Sequence, residues 1–296
     1  MTSVHAFCVA RDDSASDSDL TYSRVITSTF ATTLFSPFTC PLTGVYEFTV
    51  HVQALVGAEG RVSLGTNLIS SEARAQNEES AGGGSTSIIS TCEEGGAASA
   101  TPYQGSLFRA SELNTFCGEL LYFDSSKLTL QSKQSSDITR LRVCYVLSFL
   151  FEADVNSVAF TAFIDASSAQ YNSLEVVEFA YAATNIGNHF DSNTFTFTCP
   201  VTAVYEFRLH LQSSAAQPAQ LDIKLDGDVI ATASARDSTY EDSATTSAIV
   251  DCSGGSTVKV TTGNDVSYVA GGYRTVFSGK LLTVDTGTTS VCLLCN

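Results

Sequence analysis

One segment of this chain occurs twice. Phe38 to Gln53 reads FTCPLTGVYEFTVHVQ, and Phe197 to Gln212 reads FTCPVTAVYEFRLHLQ. Eleven of the sixteen positions are identical, and three of the five differences exchange Val and Leu. Chance does not produce this, so the repeat predicts two copies of one unit. The ends repeat as well: Phe116-Cys117-Gly118-Glu119-Leu120-Leu121 answers Phe277-Ser278-Gly279-Lys280-Leu281-Leu282, and Val4 to Phe7 answers Ser157 to Phe160. The expected organisation is a first domain over 1–124, a linker over 125–154, a second domain over 155–285 and a tail over 286–296. Each copy is large enough for one hydrophobic core.

Within the repeat, Tyr46, Phe48, Val50 and Val52 alternate with Glu47, Thr49 and His51. The second copy sets Tyr205, Phe207, Leu209 and Leu211 against Glu206, Arg208 and His210. A period of two predicts a half-buried antiparallel strand with one apolar and one polar face. Pro41 and Pro200 stand at the strand entry, where no ladder hydrogen bond is lost. Leu221 to Leu225, Asp226-Gly227-Asp228 and Val229 to Ala233 form a hairpin pattern. Its counterpart is Arg61 to Leu64, Gly65-Thr66-Asn67 and Leu68-Ile69. Thr245–Val250, Ser256–Thr262 and Tyr273–Val284 add further short strands, and no segment keeps helical periodicity over three turns. Many short strands at regular spacing predict an all-β sandwich or jelly roll. In the first copy Ala81 to Ala100 is rich in Gly, Ser and Ala, which predicts a weaker, looser sheet there.

A formal charge of −16 disfavours nucleic acid and anionic membranes as partners. Of nine cysteines, Cys40 with Cys199 and Cys92 with Cys252 hold equivalent places. In an oxidising compartment they would form bridges Cys40–Cys92 and Cys199–Cys252; as free thiols they would be small buried hydrophobes. Cys8, Cys117, Cys144, Cys292 and Cys295 have no counterpart, and their odd number leaves one thiol free or paired between chains. The opening residues MTSVHAFCVARDD have no apolar core of a signal peptide. Lys127, Lys133, Arg140 and Arg142 precede the apolar run Val143 to Phe151, which is too short to span a bilayer. That stretch is either a linker strand packing on a domain or the start of a second secreted reading frame joined to the first.

The residues F-T-C-P-x-T-x-V-Y-x-F, the following H-x-Q and the closing F-x-G-x-L-L resemble the globular head domain of complement C1q. They comprise Phe38, Pro41, Tyr46, Phe48, Phe116 and Gly118 in one copy, and Phe197, Pro200, Tyr205, Phe207, Phe277 and Gly279 in the other. Asn185 to Asp191, NIGNHFD, is similar to the stretch before that motif. The resemblance implies two tandem jelly rolls of about ten strands each, shared with tumour necrosis factor and assembled as trimers. It also implies a secreted, lectin-like recognition protein of innate immunity that binds microbial or glycan ligands without catalysis. The alternative is an oligomeric matrix or receptor-binding signalling protein. Two departures stand out: the family's G-D-x-V-W strand is Gly254 to Val260 here, and no collagen-like Gly-X-Y stem exists.

A catalytic reading finds little support. His51 and His210 recur, but without a nucleophile motif beside them, so structural or interface roles are expected; Glu47 and Glu206 also recur and are expected to be polar groups on a strand face rather than a general acid. No cofactor is implied. Carboxylates suit calcium, and the candidates are Asp12, Asp13, Asp17 and Asp19 in the first copy and Asp226, Asp228, Glu241 and Asp242 in the second. The competing explanation is ordinary turn chemistry, since Asp-Gly suits a hairpin.

Overall fold

The structure, a computed structural model, describes residues 6–11, 22–28, 37–55, 58–66, 69–77, 83–108, 114–123, 157–165, 168–214, 217–235 and 241–283. The 125–154 linker, the 286–296 tail, Asp12, Asp13, Asp17, Asp19, Cys144, Cys292 and Cys295 lie outside them. The described residues are all-β. The first set of strands is β1 (Ala6–Arg11), β2 (Tyr22–Ser28), β3 (Phe38–Thr39), β4 (Gly44–Gln53), β5 (Ala58–Thr66), β6 (Ser70–Asn77), β7 (Gly83–Cys92), β8 (Ala97–Pro102) and β9 (Thr115–Phe123). The second is β10 (Ala159–Phe163), β11 (Ser168–Tyr171), β12 (Tyr181–Ile186), β13 (Phe190–Asp191), β14 (Thr196–Thr198), β15 (Ala203–Gln212), β16 (Ala219–Leu225), β17 (Asp228–Ala235), β18 (Ser243–Cys252), β19 (Thr257–Thr262), β20 (Ser267–Ala270) and β21 (Val276–Thr283).

Both sets build a jelly roll, and the strand order of one recurs in the other. One sheet runs β2-β1-β9-β4-β7 in the first set and β12-β10-β21-β15-β18 in the second. The facing sheet runs β3-β8-β5-β6 and, with β13 added at one end, β13-β14-β19-β16-β17. Strands β11 and β20 form a further pair in the second set. The apolar rows of the repeated segment supply the cores: Tyr46, Phe48, Val50 and Val52 are buried, as are Tyr205, Phe207, Leu209 and Leu211. Each row meets an aromatic cluster. Phe7 stacks on Phe38 at 4.2 Å and meets Phe116 edge-on at 5.2 Å, while Phe160 lies 5.0 Å from both Phe197 and Phe277. The recurring glycine follows from these rings. A Cβ on Gly118 would stand 2.3 Å from Phe7, and one on Gly279 would stand 2.6 Å from Phe160. Only the absence of a side chain lets the ring lie against the backbone there.

The Asp226–Gly227 hairpin joins β16 to β17 with φ of 49° and 100°, as a tight two-residue turn requires. Cys40 is joined to Cys92 and Cys199 to Cys252. A third bridge, Cys8–Cys117, links cysteines that the repeat pattern left unpaired. They stand directly opposite one another on β1 and β9, where the second set has Thr161 opposite Ser278. The expected loosening over Ala81 to Ala100 is not what is found: β7 pairs with β4 along all ten residues from Gly83 to Cys92. Its small polar residues are used for hydrogen bonding. Thr86 bonds Ser71 at 2.7 Å and Ser90 bonds Thr66 at 3.0 Å.

Candidate functional site

The two strand sets meet where the outer faces of β4 and β15 come together, and the residues expected to be solvated there are buried. Glu47 is 5% exposed and Glu206 is 9% exposed, which corrects the reading of both as ordinary polar residues on a strand face. Lys280 reaches Glu47 at 2.5 Å, Glu206 at 3.5 Å and Glu119 at 3.7 Å. Arg208 reaches Glu47 at 2.6 Å and Glu206 at 2.7 Å. The pairing crosses between the sets because the copies have diverged at two positions. Glu119 of β9 stands where β21 has Lys280, and Thr49 of β4 stands where β15 has Arg208. The first set supplies the carboxylates Glu47 and Glu119, and the second supplies both cations. Burial alone would lower the Lys280 ammonium, but Glu47, Glu119 and Glu206 outweigh it and hold its pKa above the usual value. Arg208 is likewise raised against its burial, by Glu47 and then Glu206.

Beside the charges, β7 docks edge-on against the second set. The Ile89 N–H donates to Thr161 Oγ1 at 2.8 Å, and Thr184 Oγ1 donates to the Ile89 carbonyl at 2.7 Å. Ile89 packs with Val45 and Ala159, and Leu121, Tyr122 and Ile186 close over them. Phe163 and Val276 of the second set join the first set's core cluster.

The recurring histidines differ. His51 is exposed, whereas His210 is 3% exposed and holds Thr245 Oγ1 at 3.0 Å through Nδ1. Burial pushes the His210 pKa down to about 4, opposed only in part by the backbone of Glu72. Burial also lowers His51, with Arg208 adding to the effect. Beside His51 opens a cleft of about 480 Å³, lined by His51, Gln53, Ser85, Thr115, Ser243 and Thr245 among others. Ser243 donates to the Arg74 carbonyl at 2.9 Å, and the Arg74 guanidinium pairs with Glu241.

The calcium candidates of the second copy are not brought together. Asp226 caps the Thr257 N–H at 2.8 Å from the hairpin turn, while Glu241 is engaged by Arg74 and Arg274 and Asp242 caps Ser243. Among the described residues no group of three or more His, Cys, Asp or Glu could hold a metal ion. The Asn185 to Asp191 stretch makes a turn in which the Asn185 side chain donates to the Phe190 carbonyl at 2.8 Å. Phe190 then stacks on Phe160 at 4.9 Å, completing the aromatic core of the second set.

Residues 159–282 match the family model of the C1q domain. The C1q match spans β10 to β21, and with it the aromatic cluster, Gly279 and both interface cations. Among solved structures, the chain resembles the globular domain of zebrafish complement 1qA at 19% identity and a TM-score of 0.37, covering 43% of this chain and 98% of that one. It also resembles the Eiger tumour necrosis factor of S. frugiperda at 8% identity and a TM-score of 0.39, covering 46% of this chain and 99% of that one.

Proposed function

We propose that the chain carries two C1q-like jelly rolls, over 1–124 and 155–285, and acts outside the cell as a non-catalytic recognition protein. Its ligands on this reading are glycans or other microbial surface groups, as in lectin-like innate immunity, and it works as an oligomer. The observation that carries the proposal is the C1q-domain match over 159–282. Three disulfides support an oxidising, extracellular setting. The cleft between the strand sets supports a hydroxylated ligand, because Gln53, Ser85, Thr115, Ser243 and Thr245 offer amide and hydroxyl groups that suit sugar hydroxyls. Linking two weak sites in one chain would raise avidity through effective concentration.

The test is binding of the purified chain to a glycan array and to intact bacteria, with and without EDTA. Saturable binding that a free sugar competes away is the expected outcome. Tight capture of one protein receptor with no carbohydrate affinity would overturn the lectin reading in favour of a signalling role. Loss of sugar binding in EDTA would restore a metal ion to the site.

A further inference from the structure

We infer that the contact between the two strand sets is an acid-operated latch, which parts when the imidazole of His210 takes up a proton. The described residues of the two sets are held together by packing and polar contacts. Each of the three disulfides, Cys8–Cys117, Cys40–Cys92 and Cys199–Cys252, lies within one set. The sets can therefore move apart without any of these bridges breaking. Each keeps its own aromatic core when they do, because Phe7, Phe38 and Phe116 belong to one and Phe160, Phe197 and Phe277 to the other.

His210 stands on the outward face of β15, opposite Thr245 of β18 and Val276 of β21. Its counterpart His51 on β4 is exposed, so the burial of His210 comes from what lies over the face and not from its own sheet. What lies over it is the first set, with the backbone of Glu72 on β6 and Ser85 on β7. A chain of polar contacts crosses the interface there. His210 Nδ1 meets Thr245 Oγ1 at 3.0 Å, and Thr245 Oγ1 donates to the Ser85 carbonyl at 3.1 Å. With the threonine proton committed to Ser85, Nδ1 must donate, and the buried Nε2 is the atom left to accept a proton.

The carboxylates around the contact are already committed to other cations. Glu72 is held by Arg61, Glu241 by Arg74 and Arg274, and Glu47 and Glu206 by Arg208 and Lys280. Strand β7 carries no charged residue, Arg208 on the outward row of β15 adds like charge, and His51 on β4 is itself held toward its neutral form. Burial keeps the enclosed His210 ring at a pKa of about 4, against the ordinary 6.5 that it regains in water once the sets part. The closed state is thus fully supported above pH 6.5 and loses ground as the pH falls toward 4. On those values the ratio of open to closed chain rises about 20-fold between pH 7 and pH 5. Opening also dismantles the cleft, whose walls come from His51, Gln53 and Ser85 of one set and Ser243 and Thr245 of the other. Release of a bound ligand in acid rests on the recognition reading, whereas the latch itself does not.

Hydrogen exchange on the ligand-free full chain, corrected for the intrinsic rate at each pH, tests the latch. The Ile89 N–H donates across the contact to Thr161, so its protection reports closure. The Phe207 amide lies within β15 and reports the second set's own fold. From pH 7 to pH 5 the Ile89 protection should fall about 20-fold while that of Phe207 is kept. The Ile89 loss should shrink by about tenfold in His210→Gln and in His210→Asn, which have no ring to protonate. Unchanged Ile89 protection in the unaltered chain overturns the inference, as does a loss that Phe207 matches, since the whole fold is then opening. A loss of the same size in both variants overturns it too. Glycan binding of the unaltered chain at pH 7 addresses the recognition proposal alone.

Discussion

Strands β4 and β15 carry nearly the same sequence, yet only one of them hides its histidine. On the inward side the copies behave alike, because Tyr46 and Tyr205, or Phe48 and Phe207, face equivalent aromatic clusters. On the outward side they part: His51 is exposed while His210 is enclosed, and the carboxylates of the first set meet cations found only in the second. The sheet's own core determines one face of a strand. The other face is determined by whatever packs against it, and two substitutions, Thr49 against Arg208 and Glu119 against Lys280, make the copies complementary where identical copies would repel.

The largest break in this comparison should come from Lys280→Met. It leaves the buried carboxylates Glu47 and Glu206 to share Arg208 alone, and losing one partner of a buried ion pair costs about 3–5 kcal/mol. Urea unfolding should show that loss, whereas Glu119→Ala, at a side chain 44% exposed, should cost under ~1 kcal/mol. Equal effects would dissolve the distinction drawn between the two faces.

Next in size is pH. The folded pKa of His210 is depressed to about 4 from the ordinary 6.5 of a histidine, so the fold favours the neutral ring. Its contribution is intact above pH 6.5 and is withdrawn as the pH falls toward 4, reaching roughly 3 kcal/mol. Melting temperature followed from pH 7 to pH 4 should fall less steeply in His210→Asn than in the unaltered chain. His51→Asn, at a ring shifted in the same direction, should flatten the slope less than His210→Asn does.

The smallest effects test the shared side. Gly118→Ala and Gly279→Ala each push a methyl group into a phenylalanine ring, and overpacking of this kind costs about 1–3 kcal/mol. The two variants should shift the urea midpoint by similar amounts. A marked difference would show that the aromatic cores are less alike than their rings suggest.

The inward faces were legible in the sequence because alternation reports burial by a strand's own sheet partner. The Tyr46, Phe48, Val50, Val52 row needed nothing more. Burial of Glu47 and Glu206 was not legible, since the same alternation assigns every second residue to water unless another surface covers it. The Gly- and Ser-rich run of β7 looked degraded for the same reason. Small hydroxylated side chains pack poorly in a core but suit close bonding to Thr66 and Ser71, while Ile89 serves the other strand set. One signal could have pointed to the site: among conserved neighbours, the changes Thr49 to Arg208 and Glu119 to Lys280 both run from neutral or acidic to basic. The pairing of Cys8 with Cys117 was hidden because the repeat offers no second example, and only the β1–β9 register places the two side by side.

That bridge also has a mechanical consequence. It joins β1 to β9 across 109 residues of sequence, so tension applied through the chain passes from Cys8 to Cys117 without entering the strands between them. At ~3.5 Å per residue, roughly 380 Å of contour length is withheld from stretching until a reductant releases it. The second strand set, with Thr161 and Ser278 at those positions, has no such lock and would extend first under load.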